Sequence, residues 1–121
     1  MALRVNTLIK RPGIFVVAPI GSIDTPGQGV FQEKVDFVLQ QNPDVVIFDM
    51  EFAEYINSSG IRVLVKAQKA LKQREGKIVF INFQPQIKKV FDILNALPSL
   101  NVFANLQELD GYLDAMQKKN R

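Results

Sequence analysis

"VVIFDMEFAEYINSSGIRVL", residues 45–64, passes from four consecutive apolar residues through a short acidic stretch to two serines and a glycine, and then into an apolar pattern of a different period. Val45, Val46, Ile47 and Phe48 have no polar alternation, as expected of a central strand that is apolar on both faces. Beyond Gly60, residues Ile61, Leu64, Val65, Gln68 and Leu71 recur at three- and four-residue spacings and predict a helix with a mostly apolar stripe. Glu54 to Gly60 are therefore expected in a loop beyond the carboxyl end of a parallel strand, where open α/β sheets place ligands and switches. Ser58 stands close to the start of the helix. Its hydroxyl suits a cap on a free backbone N–H, and Gly60 permits close approach without a Cβ.

Toward the amino terminus, "LRVNTLI" alternates with period two and puts Leu3, Val5, Thr7 and Ile9 on one face of a first strand. "RPG", Arg11 to Gly13, is a turn signal before "IFVVAPI". The two segments are expected as a hairpin at the edge of the sheet, where Pro19 does least harm. After "GSIDTPGQG", the spacing of Phe31, Val35, Val38 and Leu39 predicts a helix; Asp24 or Thr25 can accept from its first turn, and Pro26 suits its first position. "NPD", Asn42 to Asp44, stops it. On the other side, Gly76 ends the second helix and "KIVFINF" reads as the next strand. A third helix over 85–96 places Ile87, Val90, Phe91 and Leu94 on one face, "NVFA" reads as a short strand, and Asn105 with Glu108 resembles a capping box. Leu106, Leu109, Leu113 and Met116 then repeat at helical spacing.

This order predicts an α/β fold: one domain over residues 1–121, with a singly wound mixed sheet of about five strands, four main helices and an N-terminal edge hairpin. Right-handed crossovers between neighbouring parallel strands put the helices on one face. Both faces of "KIVFINF" look apolar, so the face without helices is expected to be covered by the hairpin, by a second copy in a homodimer, or by a partner.

Composition narrows the chemistry. With 121 residues and 47% hydrophobic content the chain can bury one core, and no apolar run approaches the roughly 20 residues of a membrane span. "MALRVNTLIKRPG" lacks the pattern of a secretory signal, and there is no cysteine, so a cytoplasmic location is expected. Fifteen Lys and Arg against twelve Asp and Glu give a net charge of +3, part of it in the closing "QKKNR". That tail reads as a solvated end; aromatic and basic residues do not interleave as a nucleic-acid binder needs. The absence of histidine and cysteine excludes a Ser-His-Asp triad, a Cys-His pair and an ordinary zinc site. The acids Asp24, Asp49, Glu51 and Glu54 have no evident base or metal-ligand partner. No catalytic residue, metal or cofactor is expected, and the chain does not read as an enzyme.

"GSID", then "VVIFDMEFAEYINSSGIRVLVKAQKALKQREGKIVFINF" and "QPQIKKVFDILNAL" resemble, in this order and over nearly the whole chain, the STAS domains. The resemblance is strongest to bacterial anti-sigma factor antagonists of the SpoIIAA/RsbV type. That family's loop reads Asp-Ser-Ser/Thr-Gly, and Asn57, Ser58, Ser59 and Gly60 match three of its four places. The resemblance implies that Ser58 is the phosphoacceptor, that its kinase is a separate anti-sigma factor carrying ATP and magnesium, and that a phosphatase reverses the modification. Asp24 matches a carboxylate that shapes the partner surface. Asn57 departs from the pattern, keeping the size of aspartate while losing its charge and adding an N–H donor.

A phosphate on Ser58 would add about −1.5 to −2 charges, which free N–H groups and the positive end of the helix dipole favour. On the same helix, Val63, Ala67 and Ala70 form a small-residue strip beside the basic Arg62, Lys66, Lys69 and Lys72, a candidate contact for the kinase. The expected function is an interaction module in a partner-switching control of transcription, regulated at Ser58. Two alternatives stand beside it: a non-phosphorylated STAS scaffold subunit of a signalling or lipid-transport assembly, and a small nucleotide- or anion-binding domain that uses the helix start directly.

Overall fold

The computed structural model describes residues 2–96 and 105–118. Arg11-Pro12-Gly13 turns the chain, with Gly13 at φ 83°, so that β1 (Arg4–Arg11) pairs antiparallel with β2 (Ile14–Ile23). A residue with φ in this region is most easily glycine. β1 is the edge strand, whereas β2 lies inside the sheet. It runs parallel to β3 (Val45–Asp49) over Ile14–Val17 and then parallel to β4 (Ala53–Ile56) over Gly21–Ile23. Pro19 falls between these two pairings. Its missing N–H is therefore harmless because β2 is changing neighbours there, not because the strand is at an edge. β5 (Lys77–Ile81) completes the order β1-β2-β3-β5, with β4 beside the far half of β2.

The helices are α1 (Gln28–Leu39), α2 (Ser58–Lys72), α3 (Pro85–Ala96) and α4 (Leu106–Lys118). Their buried residues join Val5, Phe15, Val17, Val46 and Phe48, the alternate residues of the strands, in one cluster, so the described helices lie on one face of the sheet. Rings thread this core: Phe31 meets Phe48 edge-on at 6.2 Å, Phe48 stacks on Phe80 at 5.4 Å, and Phe80 leans on Phe91 at 5.0 Å. The opposite face has no helix among the described residues. Register places Leu8, Val16, Ile47 and Val79 in a row across it, with Leu8 55% and Val79 39% exposed.

The mixed, singly wound sheet, the four helices and the hairpin agree with the sequence reading, and three details differ. β4 stands where a loop is expected, because Ala53 and Ile56 are buried while Glu54 faces solvent. The expected strand "NVFA" lies outside the described residues. α1 starts at Gln28 rather than at Pro26; Asp24 Oδ1 does accept from Gly27 N at 3.0 Å, but this closes the turn before the helix. Finally, α2 is rotated about its axis relative to the expected stripe. Val63 and Ala67 are buried and Ala70 is half-buried, whereas Val65 and Gln68 face outward. Small residues are wanted on the inner side because α2 packs against α1 there. Val63 and Ala67 are thus core residues and form no contact surface.

Candidate functional site

β4 delivers the chain to the start of α2. Asn57 N donates to Ile23 O at 3.1 Å, which fixes Asn57 one residue beyond the end of the strand in extended conformation. From there its side chain caps the helix: Oδ1 accepts from Ser59 N at 3.0 Å and from Gly60 N at 3.3 Å. The cap is Asn57, and Ser58 is the first helical residue. The amide nitrogen of Asn57 is also engaged, donating to Thr25 Oγ1 at 3.2 Å, and Thr25 Oγ1 lies 3.5 Å from Ser59 Oγ. The donor that distinguishes asparagine from aspartate therefore ties the helix start to the loop after β2. Gly60 is needed for packing. A Cβ there would lie 2.6 Å from Ile23 Cγ2 and 2.8 Å from Ile56 Cγ1.

Ser58 is only 4% exposed, and its N–H donates to Asp110 Oδ1 of α4 at 2.7 Å. A carboxylate thus occupies the positive end of the α2 dipole. On the other side of Asn57, the fully buried Gln117 of α4 accepts from Ile56 N at 2.8 Å and donates to Ile56 O at 2.7 Å. Its side-chain amide reproduces the pair of bonds a neighbouring strand would make, and so closes the free edge of β4. Sequence reasoning passed over both α4 residues. Asp110 carries no local signal, since its partner is 52 residues away, but Gln117 continues the Leu109, Leu113 spacing and so sits on the buried side of the helix.

The first-turn N–H groups of α2 are accordingly all taken: Ser58 by Asp110, Ser59 and Gly60 by Asn57, and Ile61 by Asn57 O at 3.0 Å. The free N–H groups expected to welcome a phosphate are already bonded. Beside them an open depression of about 370 Å³ is lined by Ser22, Asp24, Thr25, Pro26, Tyr55, Asn57 and Asp114. The structure thus brings Asp24, Asn57, Ser58, Ser59 and Gly60 together. Arg62 and Lys66 are exposed along α2, as are Lys69 and Lys72. A separate groove of about 310 Å³ runs between α2 and α3 and is lined mainly by Leu64, Val65, Phe80, Phe83 and Phe91. Among the described residues no three His, Cys, Asp or Glu side chains gather to hold a metal, and no helix is long and apolar enough to cross a membrane.

Comparison with known proteins bears on this site. The family model described as STAS domain matches residues 7–109. BtrV of Bordetella bronchiseptica, whose name is that of an anti-sigma factor antagonist, is 26% identical over 102 residues, covering 84% of this chain and 87% of BtrV. Two solved structures share the fold. The anti-sigma factor antagonist SpoIIAA in its unphosphorylated form aligns with a TM-score of 0.63 at 19% identity, covering 74% of this chain and 83% of that one. The Bacillus cell fate determinant SpoIIAA in the phosphorylated form aligns with the same TM-score and identity, covering 74% and 82%.

Proposed function

This chain belongs to the STAS domain family, and from that premise we propose that it is an anti-sigma factor antagonist, a non-enzymatic binding protein controlled by phosphorylation at Ser58. The observation that carries this reading is the placement of Ser58 as the first residue of α2, beyond β4, in a chain similar over most of its length to a protein named as such an antagonist. Its partner is an anti-sigma factor that is also a serine kinase. Transfer forms a bond between Ser58 Oγ and the terminal phosphorus of ATP, breaks the bond from that phosphorus to ADP, and passes the hydroxyl proton to a base. ATP and magnesium belong to the kinase, and a phosphatase returns the free serine. The partner surface comprises the rim around Asp24 and Asn57 and the exposed side of α2, where Arg62 and Lys66 complement an acidic patch. The chain acts in the cytoplasm as a single domain. The uncovered row Leu8, Val16, Ile47 and Val79 supports a homodimer through the sheet.

A second reading, a STAS scaffold that is never phosphorylated, is favoured by the burial of Ser58 and by the neutral Asn57. The third, an anion- or nucleotide-binding domain using the helix start, is disfavoured because the N–H groups it needs are occupied by Asp110 and Asn57. Incubation with the cognate kinase and MgATP, followed by peptide mass spectrometry, separates the first two. The expected result is one phosphate on Ser58. A wild-type chain that stays unmodified while Asn57→Asp is labelled would establish the scaffold instead.

A further inference from the structure

α4 is fastened to the serine loop on both sides of Asn57. Asp110 holds Ser58 N at 2.7 Å, and Gln117, two turns further along, holds both backbone groups of Ile56. Leu109 and Leu113 are buried between and before these two contacts. Resting on the reading of Ser58 as the phosphoacceptor, we infer that Asp110 is the residue that converts phosphorylation into movement of α4: a phosphate on Ser58 expels the Asp110 carboxylate, and the amino-terminal half of α4 lifts from the loop.

Two physical reasons support this. A phosphoryl group on Oγ is confined by the covalent chain to within roughly 6 Å of a carboxylate bonded to the same residue's N–H, a distance at which like charges interact strongly. It carries about −1.5 to −2 charges and three acceptor oxygens, and, being tethered, it outcompetes Asp110 for that N–H. The next two N–H groups offer no alternative, since Asn57 holds them. Arg62, one turn along α2 and exposed, gives the phosphate an outward partner. Gln117 is bonded to Ile56 and, within α4, to Leu113 O at 3.0 Å, with no bond to Ser58, so it serves as the pivot. Release uncovers the seats of Leu109 and Leu113. The linkage is reciprocal: with Ser58 buried, whatever opens α4 also exposes the hydroxyl to the kinase.

The test places phosphoserine at position 58 during translation, by amber suppression, and follows hydrogen exchange of the full chain by mass spectrometry. Backbone amides in 106–113 are expected to exchange at least tenfold faster than in the unmodified protein, while 114–118 keep their protection. Asp110→Asn retains an acceptor for Ser58 N and can turn its amide donor toward the phosphate. The unmodified variant should match wild type, and phosphoserine should no longer loosen α4 in it. Unchanged protection in the phosphorylated wild type overturns the inference, as does equal loosening with Asn at 110. Should Asp110→Asn loosen α4 unaided, the salt series decides: loosening by charge repulsion shrinks as ionic strength rises from about 0.05 to 1 M, and loosening that persists undiminished overturns it. Because the phosphate is installed without a kinase, failure here is distinguishable from failure of Ser58 to be a kinase substrate.

Discussion

Asn57 shows how one side chain can decide the local fold and be misjudged from its neighbours. It looks like a degraded aspartate beside the serine of interest, yet both ends of its amide are engaged: two N–H groups reach its oxygen, and its nitrogen reaches Thr25. Asn57→Ala strands two helix-start donors and removes the tie to the β2 loop. It is expected to lower stability by about 1–2 kcal/mol in urea titration, as other cap removals do. Asn57→Asp should cost little, because the Thr25 hydroxyl can rotate to donate and a negative charge suits a helix amino terminus. The position of Ser58 at the start of a helix was legible from the sequence, but its surroundings were not. Whether a serine or its predecessor is the cap depends on which one leaves the helical conformation, and that is set by the pairing of Asn57 N with Ile23 O, a contact with no sequence signature.

The same limit applies to whole elements. Strands β1, β2, β3 and β5 and all four helices were readable, because period two and period 3.6 are physical consequences of facing a core. β4 was not: Ala53-Glu54-Tyr55-Ile56 is four residues long and shows a single inward-outward alternation. Its existence rests on two neighbours, β2 on one side and the Gln117 amide on the other. The rotation of α2 was misread for a related reason, since alanine and valine at its inner margin carry less hydrophobic signal than the outward Val65. Gln117→Leu tests the sealing of β4. It keeps the apolar volume but leaves Ile56 N and O buried without partners, and is expected to cost about 2–3 kcal/mol in thermal and urea unfolding. A loss under 0.5 kcal/mol, on the order of an ordinary surface change, would show that β4 does not depend on α4.

The described helices cover one face of the sheet only, and on the other four strands at about 4.8 Å spacing present an apolar area that two copies would bury to the order of 1,000 Å², the lower edge of specific interfaces. Sedimentation velocity is expected to show a reversible, concentration-dependent dimer, and Val79→Lys, at the end of the Leu8, Val16, Ile47 row, should leave only monomer. A wild-type chain that is monomeric throughout would remove self-association from the account. The bond between Gln117 and Ile56 spans 61 residues and has a consequence in time as well as in space. On the ribosome, β2 can pair with β1 and β3 while the outer edge of β4 still waits for α4, the last described element to be made. The serine loop is therefore closed only after the sheet beside it has paired, so a nascent chain passes through a stage in which the strands are joined and the loop still stands open.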